Sequence, residues 1–334
     1  MSRHRVFITG GAGYVGAVLV PRLLEAGHAV TVFDLFVFGD HLPPASDRLL
    51  KVRADIRDRD ALRRHLPGHD VMLHLACISN DPSFALDPGL SRSINYDCFE
   101  ALVQEAKAAG VARFIYASTS SVYGVSDAPE ITEEHPLVPL TDYNKYKGLC
   151  EPLLFKHQAP DFTTVTIRPA TVCGYSPRLR LDLTVNILTM SAVAHGRITV
   201  FGGSQKRPNI HIDDVCDLYR SLLDLPAELI AGKTYNAGYQ NHTVAEIAEI
   251  VREVVAREVP GRERIEVVTT PSNDLRSYHI SSEKIRRELG FVPKRSIEDA
   301  VRDLCRAFMD GRIPEPIDGL GYHNVKAIQA AGLR

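Results

Sequence analysis

A glycine-rich segment near the amino terminus constrains the fold of this chain more than any other feature. It reads TGGAGYVG over residues 9–16, after a short apolar run and before a helical pattern. Gly10 allows a sharp turn, Gly13 lets backbone approach a pyrophosphate, and Gly16 lets the helix pack closely on the strand. The helix amino terminus then offers free N–H groups and a positive dipole to phosphate. The segment predicts a dinucleotide-binding loop, and a simple tight turn is the alternative.

Apolar runs alternate with helix-length segments through the first half of the chain. Strands that alternate with helices form a parallel sheet covered on both faces. The fold class we predict is α/β, a doubly wound parallel (Rossmann) sheet with a second, smaller, interleaved substrate domain. The predicted strands of the first half cover residues 6–9, 29–34, 71–76, 114–118 and 165–168.

Acidic residues stand at the ends of two predicted strands. Asp34 lies 18 residues beyond Gly16, where its carboxylate could bind the ribose diol of NAD. It would repel a 2′-phosphate, and no arginine follows it closely in sequence, so we expect NAD rather than NADP. Asp55, followed by Ile56, could accept a hydrogen bond from the adenine amino group or could instead cap the next helix.

Tyr143 and Lys147 are four residues apart, so on a helix they share one face. A neighbouring ammonium, helped by a positive nicotinamide ring, should lower the pKa of the tyrosine from its usual value of about 10. Such a tyrosine can exchange a proton with a sugar hydroxyl. The spacing also occurs on ordinary exposed helices. A run of hydroxyl residues at 118–121 ends the fifth strand, where a ligand crevice opens in sheets of this kind.

Composition excludes several other classes of protein. Lys and Arg total 39 against 41 Asp and Glu, which argues against nucleic acid or an anionic membrane as the main partner. The six cysteines show neither C-x-x-C nor zinc-site spacing, so no metal is expected. Because the chain starts directly with a strand-like run and holds no long apolar stretch, we expect a cytoplasmic protein.

Several motifs occur in one order: TGGAGYVG, the strand ending at Asp34, ADIRD, LHLA, STSSVYG, YNKYK, and the Arg-Pro pair at 168–169. Together, over roughly residues 4–310, they resemble the extended short-chain dehydrogenase/reductase family of sugar-nucleotide epimerases and dehydratases. The resemblance implies that Thr119, Tyr143 and Lys147 are the catalytic residues and that Asn95 supports the site. It also implies a set of NAD contacts, namely Gly10, Gly13, Tyr14, Val15, Gly16, Asp34, Asp55, Ile56, Leu75, Ala76, Ser118, Tyr143, Lys147 and Pro169.

Residues that bind a nucleotide-sugar substrate are also implied by the resemblance. Arg207 and Arg276 match arginines that hold the nucleotide diphosphate, for which a guanidinium fork is well suited. The stretch 175–186 looks like a branch of bacterial enzymes that act at C4 of nucleotide-linked heptoses and hexoses. Its residues Arg178, Arg180 and Asn186, together with Ser79, Asn80 and Thr119, are candidate substrate contacts. For the arginines, a surface ion pair or basic surface loop is the alternative.

One departure from the family pattern narrows the function. The 4,6-dehydratases carry an Asp-Glu pair directly after the catalytic threonine, whereas this chain has Ser120 and Ser121. Dehydration is therefore disfavoured, and we expect an NAD-dependent nucleotide-sugar epimerase that acts at C4 through a transient 4-keto sugar. The alternatives are a C4 dehydrogenase or 4-ketoreductase that releases its product and, further off, a non-catalytic NAD-binding regulator. A homodimer is expected from the resemblance alone.

The domain boundaries follow from these assignments. Residues 1–175 should form the NAD-binding domain, to which the chain returns around 208–240. Residues 176–207 and 241–312 should bind the nucleotide sugar, with 202–208 forming a loop. Residues 313–334 contain proline and glycine and should form an arm or a loosely held tail.

Overall fold

A seven-stranded parallel sheet forms the centre of the structure. The structure is a computed structural model, and it describes residues 3–126, 128–272 and 277–333. The strand order in this sheet is β3-β2-β1-β4-β5-β6-β10. Among the described residues the strands are β1 Arg5–Thr9, β2 Ala29–Asp34, β3 Leu49–Arg53, β4 Val71–His74, β5 Arg113–Ala117, β6 Thr163–Pro169, β7 Thr171–Cys173, β8 Arg197–Phe201, β9 Lys206–His211, β10 Lys233–Ala237, β11 Gln240–Thr243 and β12 Glu266–Thr270.

Helices cover both faces of this sheet and build the second part of the molecule. In the same residues they are α1 Gly16–Glu25, α2 Arg59–His65, α3 Asp81–Phe84, α4 Pro88–Arg92, α5 Phe99–Ala108, α6 Asp142–Phe155, α7 Thr184–His195, α8 Ile212–Asp224, α9 Ala227–Ile230, α10 Val244–Glu258, α11 Glu283–Leu289, α12 Ile297–Met309 and α13 Asn324–Ala331. A π-helical turn, Ser93–Asp97, and two 3₁₀ turns, Ser120–Tyr123 and Leu320–Tyr322, complete them.

The central strand β1 is buried on both sides. Ile8 pairs with Val32 of β2 and with Leu73 of β4, both in parallel register. Val6 and Ile8 belong to one apolar cluster, and Phe7 between them belongs to a second cluster on the opposite face. This alternation follows from the two-residue period of a strand. The predicted doubly wound sheet is confirmed, and its strand order reverses between β1 and β4, where ligands bind in such folds.

Smaller sheets and a helical layer form the second part. Strands β11, β9 and β7 make one sheet and β12 pairs with β8, while α7, α10 and α12 pack on one another. Strand β10 lies in the large sheet beside β6, so the chain crosses between the two parts. The exact domain boundaries stay a prediction. Across the described ranges, no helix is both long enough and apolar enough to span a bilayer.

One prediction for the second half is wrong in part, and the structure describes most of the C-terminal segment for which two alternatives were open. The stretch 202–208 was expected to be a loop, but β9 begins at Lys206 because Arg207 pairs with His242 of β11. For the C-terminal segment an arm or a loosely held tail was predicted, and the described part, 313–333, agrees with an arm, since α13 packs near α3 and Asn324 and Ile328 are buried. Both features depend on partners distant in sequence, which local patterns do not reveal.

Candidate active site

The central cavity lies at the carboxyl edge of the large sheet and has a volume of about 400 Å³. Its walls come from the glycine loop, from the residues that follow β2, β4 and β5, and from the segment between β7 and α7. Every residue that the sequence predicts to contact NAD lines this cavity. Thr119, Ser79, Asn80, Arg178, Arg180 and Arg207 line it as well.

The glycine loop is packed so tightly that side chains would not fit. Gly10 has φ +72°, and a Cβ atom there would lie 2.5 Å from the backbone nitrogen of Ala76. A Cβ atom on Gly16 would lie 2.2 Å from the carbonyl oxygen of Gly11. The loop therefore rests directly on the chain that follows β4, and the helix α1 starts against it. This cradle fits the pyrophosphate of a dinucleotide.

Asp34 is anchored at the end of β2 by two backbone groups. The amide of Ala12 donates to its Oδ2 at 2.9 Å, and the amide of Phe36 donates to its Oδ1 at 2.7 Å. Burial raises the pKa of Asp34, and these hydrogen bonds oppose that rise. Each oxygen keeps a second lone pair, which a ribose hydroxyl could use.

Asp55 is held by Arg57 at the cavity wall. The guanidinium donates to Oδ2 through Nη2 at 2.7 Å, and the Arg57 amide donates to Oδ1 at 2.8 Å. Burial raises the pKa of Asp55, but the hydrogen bonds from Arg57 outweigh it and leave the pKa below its usual value. The alternative that Asp55 caps the next helix is wrong, because Asp58 accepts from the Ala61 amide at 2.9 Å and caps α2.

The three predicted catalytic residues all line the cavity. Thr119 precedes the 3₁₀ turn after β5, and its hydroxyl accepts a hydrogen bond from the Ser121 amide at 3.2 Å. Tyr143 and Lys147 lie one turn apart near the start of α6. The ammonium of Lys147 donates to the carbonyl of Ala117 and lies 4.5 Å from the centre of the Tyr116 ring.

The pKa of Tyr143 is raised well above its usual value, whereas the sequence predicts a lowered pKa once a positive nicotinamide ring lies beside it. Burial is the largest cause, and the thiol of Cys77 adds to it, whereas the guanidinium of Arg180 lowers the pKa. The lysine that was expected to supply the opposing charge has its ammonium on the Ala117 carbonyl. Burial of a phenol disfavours its charged form, and sequence spacing carries no information about burial.

A buried ion pair joins β6 to α6. The Arg168 guanidinium donates to Glu151 through Nε at 3.0 Å and through Nη2 at 2.6 Å. The hydroxyl of Ser118 donates to the same carboxylate at 2.6 Å, and Arg168 Nη1 donates to the hydroxyl of Tyr123 at 2.7 Å. Two-point pairs of this kind fix geometry as well as charge, so Arg168 of β6 and Glu151 of α6 hold these two elements together.

The loop after β4 joins the segment 174–183 across the cavity. Asn80 donates through Nδ2 to the carboxylate of Asp182, and Arg180 donates to the same carboxylate through Nε at 3.0 Å and Nη2 at 2.5 Å. Ser79 accepts at its hydroxyl from Nδ2 of Asn324 at 2.9 Å. These predicted sugar contacts are therefore linked to one another and to α13.

Two of the predicted substrate residues lie elsewhere than expected. Arg178 is buried with its guanidinium 3.8 Å from the centre of the Phe38 ring, and it interacts electrostatically with Asp34 at the predicted ribose end. Burial lowers the pKa of Arg178 to about 9. Asn186 does not line the cavity. Instead of the predicted substrate contact, it accepts from the Gly174 amide at 3.0 Å and donates to the Arg180 carbonyl at 3.0 Å.

Of the two arginines that were predicted to bind the substrate diphosphate, the structure describes one, Arg207. Arg207 lines the cavity from β9, is largely buried, and donates through Nη1 to the carbonyl of Lys206 at 3.0 Å. Arg276 lies outside the described residues. Among those described, the cavity-lining residues that sequence reasoning missed include Cys77, Thr171 and Tyr278. Cys77 directly follows the LHLA motif, and Tyr278 lies two residues after the predicted Arg276, so both motifs could have identified their neighbours. The hydroxyl of Tyr278 lies 3.1 Å from Ser121 Oγ.

The fold and site define an NAD-dependent enzyme with a tyrosine–lysine pair beside the dinucleotide cradle. Residues 6–238 match the NAD dependent epimerase/dehydratase family, and the chain belongs to that family. The resemblance seen in the sequence is thereby confirmed. The cofactor of the enzyme is NAD, and the glycine loop with Asp34 fits it.

Characterised relatives cover almost the whole chain. A dTDP-glucose 4,6-dehydratase of Streptomyces niveus is 28% identical over 92% of this chain and 94% of its own. A UDP-glucose 4-epimerase of Corynebacterium glutamicum is 27% identical, with 89% and 94% covered. The crystal structure of a dTDP-glucose 4,6-dehydratase from Streptomyces venezuelae with NAD bound is 26% identical, has a TM-score of 0.81, and covers 92% of this chain and 98% of that one.

Proposed function

We propose that this nucleotide-sugar enzyme is a C4 epimerase that works through a transient 4-keto sugar. One observation carries the proposal. Thr119, Tyr143 and Lys147 share the central cavity with the dinucleotide cradle, and the two positions after Thr119 are Ser120 and Ser121. Oxidation and reduction at one carbon need only NAD and the groups of Thr119, Tyr143 and Lys147. Elimination of water needs an additional acid and base.

The serines lack the chemistry that dehydration requires. Ser120 is buried, and Ser121 Oγ interacts with the hydroxyls of Thr119 and Tyr278. Neither serine supplies the carboxyl groups that would act as the additional acid and base in the elimination of water. The carboxylates of Asp81 and Asp182 also line the cavity, but Thr141 donates to the first, and Arg180 and Asn80 donate to the second.

Each residue of the proposed site has a definite task. NAD, when bound, accepts the hydride from C4 of the sugar and returns it. The Tyr143 oxygen takes the proton of the C4 hydroxyl and gives it back, while the Thr119 hydroxyl hydrogen-bonds the same sugar oxygen. Lys147 orients the cofactor ribose and adds positive charge to the cavity. Arg207 binds the diphosphate of the substrate, which leaves the sugar to turn between the two hydride transfers.

The Tyr143→Phe variant tests this assignment. Wild type and variant would be incubated with UDP-glucose and with dTDP-glucose, and the 4-epimer measured by chromatography and proton NMR. We expect Tyr143→Phe to lower turnover by about 10²–10⁴-fold, since it removes only the proton-exchanging hydroxyl, and to leave NAD binding nearly intact. Tyr146→Phe is the matched control: Tyr146 lies on the same helix but packs on Phe84 and Tyr96.

The same assay separates the alternatives. Formation of a 4-epimer without accumulation of NADH supports an epimerase. Stoichiometric NADH with release of a 4-keto sugar would instead identify a C4 dehydrogenase. Formation of a 4-keto-6-deoxy sugar would identify a dehydratase and refute the argument from Ser120 and Ser121. Full turnover by Tyr143→Phe would refute the catalytic assignment itself.

A further inference from the structure

Three hydroxyl groups form a hydrogen-bonded chain that ends at Thr119. The Thr119 hydroxyl donates to Ser121 Oγ at 3.2 Å, and Ser121 Oγ lies 3.1 Å from the hydroxyl of Tyr278, where either oxygen can be the donor. All three side chains line the central cavity. Tyr278 comes from a segment 157 positions beyond Ser121, so only the tertiary structure completes this hydroxyl chain.

The oxygens of the hydroxyl chain are held in place at both ends. Thr119 Oγ1 also accepts from the Ser121 amide at 3.2 Å, which fixes the spacing of these two residues at the start of the 3₁₀ turn. Tyr278 is buried, and the next residue, His279, is anchored because its carbonyl accepts from the Ile131 amide at 2.8 Å. The oxygens are therefore fixed, whereas the hydroxyl protons can rotate.

Sugar binding requires a reversal along the hydroxyl chain. In the proposed reaction the Thr119 hydroxyl bonds the C4 oxygen of the sugar, so its proton must turn away from Ser121. The Ser121 oxygen then loses a donor, and the Tyr278 hydroxyl can replace it because the hydrogen bond between them permits either direction. The Ser121 proton can in turn point at Thr119 Oγ1. The reversed chain runs from Tyr278 to the sugar, and no proton leaves its oxygen.

The reversed direction strengthens the last donor of the chain. Hydrogen bonds in series polarise one another inside a protein, and the phenol at the outer end is a more acidic donor than an alcohol. Negative charge develops on the C4 oxygen as Tyr143 removes its proton. A fixed donor aimed at that oxygen stabilises the transition state more than the bound substrate.

We propose that Tyr278 is a positioning residue of the reaction: through Ser121 it turns the Thr119 hydroxyl toward the C4 oxygen and strengthens that hydrogen bond. This inference rests on the proposed function, in which Thr119 and Tyr143 share the C4 oxygen. It gives a task to Ser121, which stands at one of the two positions where the 4,6-dehydratases carry an acid.

Steady-state kinetics of Tyr278→Phe with UDP-glucose and dTDP-glucose test the inference. The variant keeps the ring and removes only the hydroxyl. We expect kcat to fall about tenfold while KM changes less than about twofold, since the affected hydrogen bond strengthens in the transition state. With substrate deuterated at C4, the isotope effect on kcat should increase, because hydride transfer becomes slower relative to the other steps. Tyr239→Phe, at an exposed position, is the control and should keep the wild-type kcat.

A double-mutant cycle distinguishes action through Ser121 from direct contact with the substrate. Ser121→Ala should also lower kcat about tenfold, and Tyr278→Phe should lower it less than about twofold further, because the hydroxyl chain is already broken. Equal effects of Tyr278→Phe in the presence and in the absence of the Ser121 hydroxyl would make Tyr278 a substrate ligand and overturn the inference. If Tyr278→Phe does not fold, Ser121→Ala tests the chain alone, and an unchanged kcat would overturn it.

Failure of this inference can be told apart from failure of the proposed function. Full turnover by Tyr143→Phe refutes the proposed function. An inactive Tyr143→Phe together with the wild-type kcat in Tyr278→Phe refutes only the role of the hydroxyl chain. A raised KM with an unchanged kcat in Tyr278→Phe would also refute that role, because it reports lost substrate binding rather than a lost transition-state interaction.

Discussion

Asn95 holds the backbone of Ile78 through both ends of its side-chain amide. The Ile78 amide donates to Asn95 Oδ1 at 2.8 Å, and Asn95 Nδ2 donates to the Ile78 carbonyl at 2.9 Å. Ile78 directly precedes Ser79 and Asn80, which line the central cavity. A buried side chain in the π-helical turn therefore sets the path of the loop that carries predicted sugar contacts.

Replacement of Asn95 by alanine should weaken both the fold and the site. The Ile78 N–H and C=O would be left buried without partners, which should lower the free energy of unfolding by about 2–3 kcal/mol. Because the loop would be released, KM for the nucleotide sugar should rise more than KM for NAD. Urea denaturation and steady-state kinetics measure the two effects. A change in stability below about 0.5 kcal/mol would show that the two hydrogen bonds are replaced by water.

Gly10→Ala and Gly110→Ala form a matched pair of glycine variants. Both glycines have positive φ, +72° and +82°, so alanine should cost about 1–2 kcal/mol of stability at either position. At Gly10 the new Cβ would also meet the Ala76 backbone at 2.5 Å, whereas no atom lies within 4 Å of a Cβ on Gly110. NAD affinity, measured by calorimetric titration, should fall at least about tenfold for Gly10→Ala only. Equal NAD affinities in the two variants would refute the hypothesis that the glycine loop binds the pyrophosphate of NAD.

His74 should make the protein sensitive to acid. It is buried in β4, interacts with the hydroxyl of Thr9 at 2.7 Å, and lies against the Tyr116 ring. Burial, with a smaller contribution from Lys147, lowers the pKa of His74 to about 3. Between about pH 6.5 and the lowered pKa of His74, the unfolded chain binds a proton that the native state does not. The free energy of unfolding should therefore fall as pH falls, by up to about 1.4 kcal/mol per pH unit.

The His74→Gln variant isolates this effect. Glutamine does not titrate, so the free energy of unfolding should fall less steeply between about pH 6 and pH 4 than in wild type. His41→Gln, at an exposed position, is the control and should follow the wild-type slope. Denaturant titrations at several pH values give the slopes directly. Identical slopes for wild type and His74→Gln would show that another group controls acid unfolding.

Local patterns were sufficient wherever the chemistry of a residue depends on its near neighbours. The glycine loop, the acid at the end of β2 and the Tyr143–Lys147 pair each lie within one strand–turn–helix unit or one helix. Their positions at the carboxyl edge of the sheet follow from the alternation of strands and helices. The start of β9 at Lys206 and the packing of α13 depend on partners far away in the chain, so no local signal marks them.

By itself, the sequence determined the fold class and the family, and it predicted a set of residues that line the central cavity, because these follow from periodicity, turn chemistry and motif order. Only the tertiary structure decided what surrounds those residues. It placed Arg178 at the Asp34 end of the cavity and turned Asn186 away from it. It also raised the pKa of Tyr143 through burial. Burial and electrostatic interactions depend on groups that approach through space, and in this chain those groups come from segments as distant as the loop after β4 and the loop after β7.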